Sequence, residues 1–353
     1  MGLKKRILFS LLVGIAQVSV AGSIDYFEDA SVCADPNGLA KCYDGENTRY
    51  VECINESCPN SLTCLAACDG DERCISQKCP SDDADCIYNC ACKRAGHEIS
   101  CLASSCWNQI YSCEYQKAAN DLIQLCEKPH LDDIPFWPPP DNAPGGCSCN
   151  IAKIFKQQIQ VSDQLTKCGN NKTNIDKIGD DVNDSIDYSR ACICCAESAM
   201  MSKIYDTCPN TEPSIIGADN WFGKFFEQNQ WAQCGEYLDK HDCAGDLGYG
   251  AKDAGDTHRF YKPGQFPQSG AETLSNTKGI ISTPIGREAT FTWTYGSDVY
   301  TVTATTGPVT ETISSSSASA TATETRTETS RNETLSTAAS TAATSTQTGI
   351  GNP

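Results

Sequence analysis

The sequence predicts a mainly α-helical, disulfide-stapled protein in two cysteine-rich modules, with a β-hairpin near residues 290–304 and a disordered Ser/Thr-rich C-terminal tail. Three observations carry this expectation. All 24 cysteines lie between Cys33 and Cys243. Apolar residues recur at helical spacing wherever cysteines are dense. From Val309 to Thr348 more than half the residues are Ser or Thr, with almost nothing to bury, so that stretch cannot offset its ordering entropy.

The chain opens with Lys4, Lys5 and Arg6, an apolar run from Ile7 to Val20, and small residues at Ser19, Ala21 and Gly22. That pattern is a secretory signal peptide over residues 1–21, cut after Ala21. The run is shorter than the roughly 18–20 residues a spanning helix needs, and no later stretch is long and apolar enough, so no transmembrane segment is expected in the mature chain. Loss of those three cations takes the net charge from −18 to about −21. A surface so acidic repels nucleic acid and anionic membranes. The expected location is extracellular, secreted or in a cell wall.

An even number of cysteines in one region of an exported chain implies a disulfide framework, because oxidising compartments let thiols pair and persist. Zinc is the sharper alternative, since Cys90-Ala-Cys92 and Cys147-Ser-Cys149 place thiols close together. The C-x2-C pairs of zinc ribbons are missing, however, and an exported thiolate meets oxidant before metal; no metal ligands are assigned. Cys64-Leu-Ala-Ala-Cys68 and Cys86-Ile-Tyr-Asn-Cys90 are i, i+4 pairs whose thiols share a helix face. Two such helices lying antiparallel would be cross-linked twice, Cys64 to Cys90 and Cys68 to Cys86. CINESCPN from Cys53, CISQKCPS from Cys74 and CLASSCWN from Cys101 to Cys106 share C-[IL]-x3-C. Their irregular spacing argues for duplicated disulfide-bound helical turns rather than a solenoid.

The first module spans residues 22–127 and ends in EYQKAANDLIQLC, where Tyr115, Ala118, Ala119, Leu122 and Cys126 fall at helical spacing. Residues 128–146 hold six prolines, which forbid regular structure and read as a stiff linker. It leaves fifteen cysteines before it and nine after, so with full pairing at least one bridge must cross it. In the second module, 147–243, Asn150 caps a helix carrying Ile151, Ile154, Phe155, Ile159, Leu165 and Cys168. A further helical pattern runs from Ser185 to Thr207 and includes Cys192, Cys194 and Cys195, with Cys208 just after it; Cys234 and Cys243 complete the set. Neighbouring thiols on a helix point about 100° apart, so Cys194 and Cys195 are expected to bond different partners. Trp221, Phe222, Phe225, Phe226 and Trp231 form an aromatic pattern read as core.

Residues 244–308 are Gly- and Pro-rich until Phe291, Trp293 and Tyr295 alternate with threonines, Gly296-Ser-Asp offers a turn, and Tyr300 and Val302 resume the alternation. A lone hairpin is marginal, so this one should lie against the helical body. The tail, 309–353, reads as an O-glycosylated stalk. N-glycosylation sequons stand at Asn55, Asn171, Asn183 and Asn332. A GPI signal wants an apolar terminus; this chain closes on Gly-Ile-Gly-Asn-Pro353, so it is expected to be released or wall-associated.

Enzyme signatures such as H-E-x-x-H, G-x-S-x-G and a phosphate-binding glycine loop are absent, and no catalytic residue is assigned. His97, His130, His241 and His258 are scattered; His241-Asp242 and Asp256-Thr-His258 read as solvated surface rather than an oriented base. The acidic runs at Asp69–Glu72 and Asp180–Asp184 lack calcium-loop spacing.

Signal peptide, cysteine-rich helices and Ser/Thr tail together resemble filamentous-fungal secreted or cell-wall proteins. Over Cys64–Cys126 the order C-x3-C, Cys90-Ala-Cys92, Cys101-x4-Cys106 and a helix ending at Cys126 is similar to the CFEM domain, an eight-cysteine helical module of fungal surface proteins. The resemblance implies, as an alternative reading, a haem or small-ligand binder; the family's haem aspartate would fall at Ile87, and Asp85 is the nearest acid. The leading expectation is a non-enzymatic cell-surface or cell-wall protein with no cofactor, whose partners are wall polysaccharide or other extracellular proteins. A secreted hydrolase of unrecognised family is the third reading.

Overall fold

Asp35 starts the first long helix, accepting a hydrogen bond from the Gly38 N–H at 2.8 Å, with Pro36 in the first turn where its missing N–H is not needed. In the computed structural model the described residues are 26–27, 29–58, 61–68, 72–126, 131–170, 182–216, 231–249, 259–284 and 290–305. The signal-peptide and tail readings lie outside them, as do Trp221, Phe222, Phe225 and Phe226 of the aromatic pattern. Helix α1 (Pro36–Ser57) buries Leu39, Glu46, Tyr50 and Ile54 on one face. Two short helices follow, α2 (Leu62–Cys68) and α3 (Glu72–Lys78), and then α4 (Ser81–Ser105), which runs back along α1.

Six disulfides hold these two arms together: Cys33–Cys106, Cys42–Cys101, Cys53–Cys90, Cys58–Cys86, Cys64–Cys79 and Cys68–Cys74. Each lies wholly inside the one before it, so the bridges form a nested ladder and the arms are antiparallel. The expected pairs Cys64–Cys90 and Cys68–Cys86 are corrected by this map. The chain already reverses between Cys68 and Cys74, six residues apart, so the Cys64/Cys68 face meets Cys79 and Cys74 first. That leaves the Cys86/Cys90 face to α1. The helical double staple is therefore present, with different partners.

The repeated C-[IL]-x3-C unit is a helix terminus. The N–H of its last cysteine, at Cys58, Cys79 and Cys106, donates to the carbonyl of Ile54 (2.9 Å), Ile75 (3.0 Å) and Leu102 (2.8 Å). Those three apolar side chains are buried and pin each terminus while the two cysteines staple it.

Helix α5 (Cys113–Leu125) starts at Ser112, whose hydroxyl accepts from the Tyr115 N–H at 3.2 Å, and is tied to α4 by Cys92–Cys126. Residues 131–146 contain a single 3-10 turn, Leu131–Asp133, and pack down rather than loop out. Ile134 and Trp137 enter the main core, the Trp137 indole N–H donates to Asn120 Oδ1 at 2.9 Å, and the Tyr115 hydroxyl donates to the Pro135 carbonyl at 2.8 Å. Cys113–Cys147 crosses this segment, as the odd division of cysteines requires. A chain cut by an inserted protease site at the exposed Asp141-Asn142 is expected to run as one species on a denaturing gel without reductant and as two with it. Separation without reductant would mean that the bridge does not form.

Helix α6 (Ile151–Gly169) begins at Asn150, whose side chain accepts from the Lys153 N–H at 3.1 Å. It serves two cores: Ala152, Phe155 and Ile159 join the main core with α4 and α5, whereas Ile154, Val161 and Cys168 face α7 (Val182–Thr207) and α8 (Cys234–Lys240). Bridges Cys149–Cys208, Cys168–Cys192, Cys194–Cys234 and Cys195–Cys243 stitch this second core. The adjacent Cys194 and Cys195 do bond different partners. All 24 cysteines are thus paired, and none is free. Residues 259–284 carry no helix or strand and make isolated bridges from Glu272 to Thr211 and from Asn276 to Cys147. Gly270 is required there, because a Cβ would stand 2.0 Å from the Asn210 carbonyl.

Strands β1 (Thr290–Tyr295) and β2 (Asp298–Thr303) form the expected antiparallel hairpin around Gly296-Ser297, with Gly296 at φ 62°. Trp293, Tyr295, Tyr300 and Val302 point into the main core, and threonines face out. Among the described residues no helix is long and apolar enough to cross a membrane.

Candidate functional site

Three charged side chains, Glu46, Arg94 and Glu98, are buried where α1 and α4 meet beside the hairpin. Arg94 and Glu98, one turn apart on α4, form an ion pair of 2.8 Å with both side chains buried. The Arg94 guanidinium also lies 5.2 Å from the centre of the Tyr50 ring. Taking charges out of water is costly, so the pair persists only because each ion has close partners. Burial raises the Glu98 carboxyl above its ordinary range, against the pull of Arg94, and pushes the Tyr50 hydroxyl up to about 12.

Glu46 projects from α1 into the same junction, pairs with Arg49, and holds its second oxygen 3.7 Å from His97 Nδ1. The His97 ring meets Tyr300 of β2 edge-on at 5.0 Å, and Tyr300 stacks on Trp293 at 4.5 Å. Nearby, the Tyr26 hydroxyl donates to Asp121 Oδ2 at 3.0 Å. The Ser100 hydroxyl, a turn beyond His97, donates to the Gly96 carbonyl at 3.1 Å and accepts from the Trp293 indole at 3.2 Å. A carboxylate–imidazole pair beside a serine invites a nucleophilic reading. Here the serine hydroxyl is directed into the hairpin's seat, and the imidazole meets an aromatic edge. The arrangement positions β1 and β2 on α4.

Gly96 makes that seat. A Cβ on it would lie 2.3 Å from the Tyr300 hydroxyl oxygen and 2.5 Å from the ring carbon bearing it. The ring has little room to move, being stacked on Trp293 and edged by His97. Gly96→Ala is expected to destabilise by about 1–3 kcal/mol through overpacking, outweighing the gain of about 1 kcal/mol in helix propensity. Chemical denaturation measures it; a neutral or stabilising result would show that the hairpin can shift freely.

Burial holds the His97 imidazole below its ordinary value of 6.5, with Arg49 acting the same way and Glu46 and Asp298 opposing. The neutral ring is therefore favoured in the folded state. Its contribution is present above about pH 6.5, the unfolded value, and is lost as pH falls through the lower folded value. Wild type is expected to lose stability between pH 7.5 and 5 relative to His97→Gln. Parallel curves for the two proteins would rule this out.

The other sequence-derived residues stand apart from this junction. Asp85 is exposed near the start of α4, while Ile87 is fully buried. Asn55 is exposed in the last turn of α1, on the surface as a glycan acceptor must be. Asn171 and Asn332, His130, His258, Asp69–Asp71 and Asp180–Asp181 lie outside the described residues, as do the side chains of Glu72, Asn183 and Asp184. His241 is partly buried, but Asp242 turns Oδ1 to the N–H groups of Ala244 and Gly245, both at 3.0 Å, and so caps its own turn instead of orienting the imidazole. Among the described residues, three groupings have metal-like proximity: Cys64/Cys68/Cys79, Cys42/Glu46/Cys101 and Cys194/Glu197/Cys234. Every cysteine in them is a half-cystine, which offers no thiolate.

No family model, no curated protein and no solved structure matches this chain.

Proposed function

We propose that the chain is an extracellular, non-enzymatic structural protein: a disulfide-stapled helical body displayed at or near a cell surface or wall, with the Ser/Thr-rich tail as its spacer. The pairing of all 24 cysteines is the observation that carries this reading. Such a framework forms and persists in an oxidising compartment. The buried ion pair Arg94–Glu98 is turned inward, against the Tyr50 ring of α1. The partners that suit such a body are wall polysaccharides or other extracellular proteins.

Fractionation of the producing cells tests the location, and incubation of the purified oxidised protein with insoluble glucan, chitin and mannan tests the role. The expected results are protein in the medium or wall fraction, and co-sedimentation without release of reducing sugar. A thiol-reduced cytosolic pool would overturn the location, and sugar release would replace the structural role with a hydrolase. Haem added to the same preparation is expected to leave the Soret band of free haem unshifted. A shifted band that Asp85→Ala abolishes would move the reading to the CFEM-like binder.

A further inference from the structure

Two consecutive rungs of the ladder approach each other closely. Cys53–Cys90 and Cys58–Cys86 both join α1 to α4, and between them Cys58 Sγ lies 3.9 Å from Cys90 Sγ. Neither sulfur carries a hydrogen, so this is a contact between two disulfides rather than a hydrogen bond. Cys58 and Cys90 are buried, at 3% and 1% exposure, in a core that holds Ile54, Ile75 and Ile87. Their partners Cys53 and Cys86 are only partly buried. The two sulfurs in contact are thus inside, and the two that would leave on exchange are nearer to solvent.

We infer that these four half-cystines form an exchangeable redox unit, in which two-electron reduction by a dithiol moves the surviving bridge to Cys58–Cys90 and leaves Cys53 and Cys86 as surface thiols. One thiolate of the reductant attacks the Cys86 sulfur, breaking Cys58–Cys86 and releasing the Cys58 thiolate. The reductant's second thiolate attacks the mixed disulfide, so the reductant leaves as its own disulfide and Cys86 as a thiolate. Cys58 then attacks the Cys90 sulfur, forming Cys58–Cys90 and expelling Cys53. Two protons from water complete the Cys53 and Cys86 thiols. The dithiol has lost two electrons and two protons, and the protein has gained both.

The direction of exchange follows from burial. A thiolate at Cys58 would sit among apolar side chains, poorly solvated, whereas one at Cys53 is closer to water, and exchange favours the better-solvated leaving thiolate. The product keeps one rung across α1 and α4. It also presents two thiols on adjoining helices, suited to a mixed disulfide with an extracellular partner. This inference goes beyond the structural role proposed above and does not depend on it.

The test is graded reduction of the oxidised full chain with dithiothreitol. Acid quenching, alkylation and peptide mapping follow, at the concentration where on average half of these four cysteines are labelled. The expected species carries label on Cys53 and Cys86, with the Cys58 and Cys90 peptides joined. Label on Cys58 and Cys86 with Cys53–Cys90 intact, or on Cys53 and Cys90 with Cys58–Cys86 intact, would overturn the proposal. So would passage from no label to four labels without a two-thiol species. In Cys53→Ser/Cys86→Ser, Cys58 and Cys90 are expected to form a bridge, and recovery of both as free thiols would equally overturn it.

Discussion

Complete reduction and alkylation of the oxidised protein is expected to remove most of its helical signal, with the α2–α3 end of the ladder losing structure most completely. Helices α2 and α3 have seven residues each, and isolated helices shorter than about 12–15 residues are marginal in water. Among the described residues the small core beneath them has ten buried members, of which Cys58, Cys68, Cys79 and Cys90 are four. The staples are therefore much of what that end buries, as well as what joins it. Loss of a single bridge commonly costs about 2–4 kcal/mol, comparable with a large part of a domain's net stability of about 5–15 kcal/mol. Far-UV circular dichroism and urea titration read the outcome. A cooperative transition with native helicity in the alkylated protein would show that apolar burial alone sustains the fold.

Trp293→Ala is expected to cost about 3–5 kcal/mol, the range for truncating a large buried aromatic, and to release the hairpin from α4 while leaving the ladder folded. Trp293 is 6% exposed, stacks on Tyr300, and donates its indole N–H to Ser100. No cysteine lies beyond Cys243, so β1 and β2 have no disulfide tie to the body. A two-stranded hairpin is marginal without its packed face. Hydrogen exchange should show lost protection at Thr290–Thr303 with the α1 and α4 amides unchanged. A cost below about 1 kcal/mol, or retained hairpin protection, would mean that the other aromatics suffice.

How much of this was legible in the sequence differs by element. The hairpin was readable because Phe291, Trp293, Tyr295, Tyr300 and Val302 keep strict alternation around a glycine turn, a local signal. Helix α6 and its Asn150 cap were readable for the same reason. The bridge across the proline-rich segment followed from parity alone. Which cysteines pair within the first arm was not readable: it depends on where the chain reverses, and two i, i+4 faces fit each other as well as either fits a third. The candidate site was hidden for a related reason. Arg94 and Glu98 are a visible i, i+4 pair, but the same spacing occurs on solvated helix faces. Glu46, His97 and Tyr300 are far apart in sequence and meet only once α1, α4 and β2 have docked. A glycine within a long helix, Gly96, was the one local hint of a close approach there.

The nesting of the six ladder bridges changes what each is worth. Taken alone, Cys33–Cys106 spans a sequence separation of 73, and a loop that long is worth roughly 4.4 kcal/mol in the chain-entropy model. With Cys42–Cys101 already closed, the outer bridge confines only nine residues on one side and five on the other. A loop of about that size is worth about 3 kcal/mol. Every rung but the innermost, Cys68–Cys74, is reduced in this way by the rung inside it, so those contributions are set by the step between rungs rather than by the span each encloses. Oxidative folding acquires a direction from the same geometry. Closing Cys68–Cys74 brings Cys64 and Cys79 within a short tether, and each closure outward does the same for the next pair, so the bridges are expected to close in order from the tip of the two arms towards their open end.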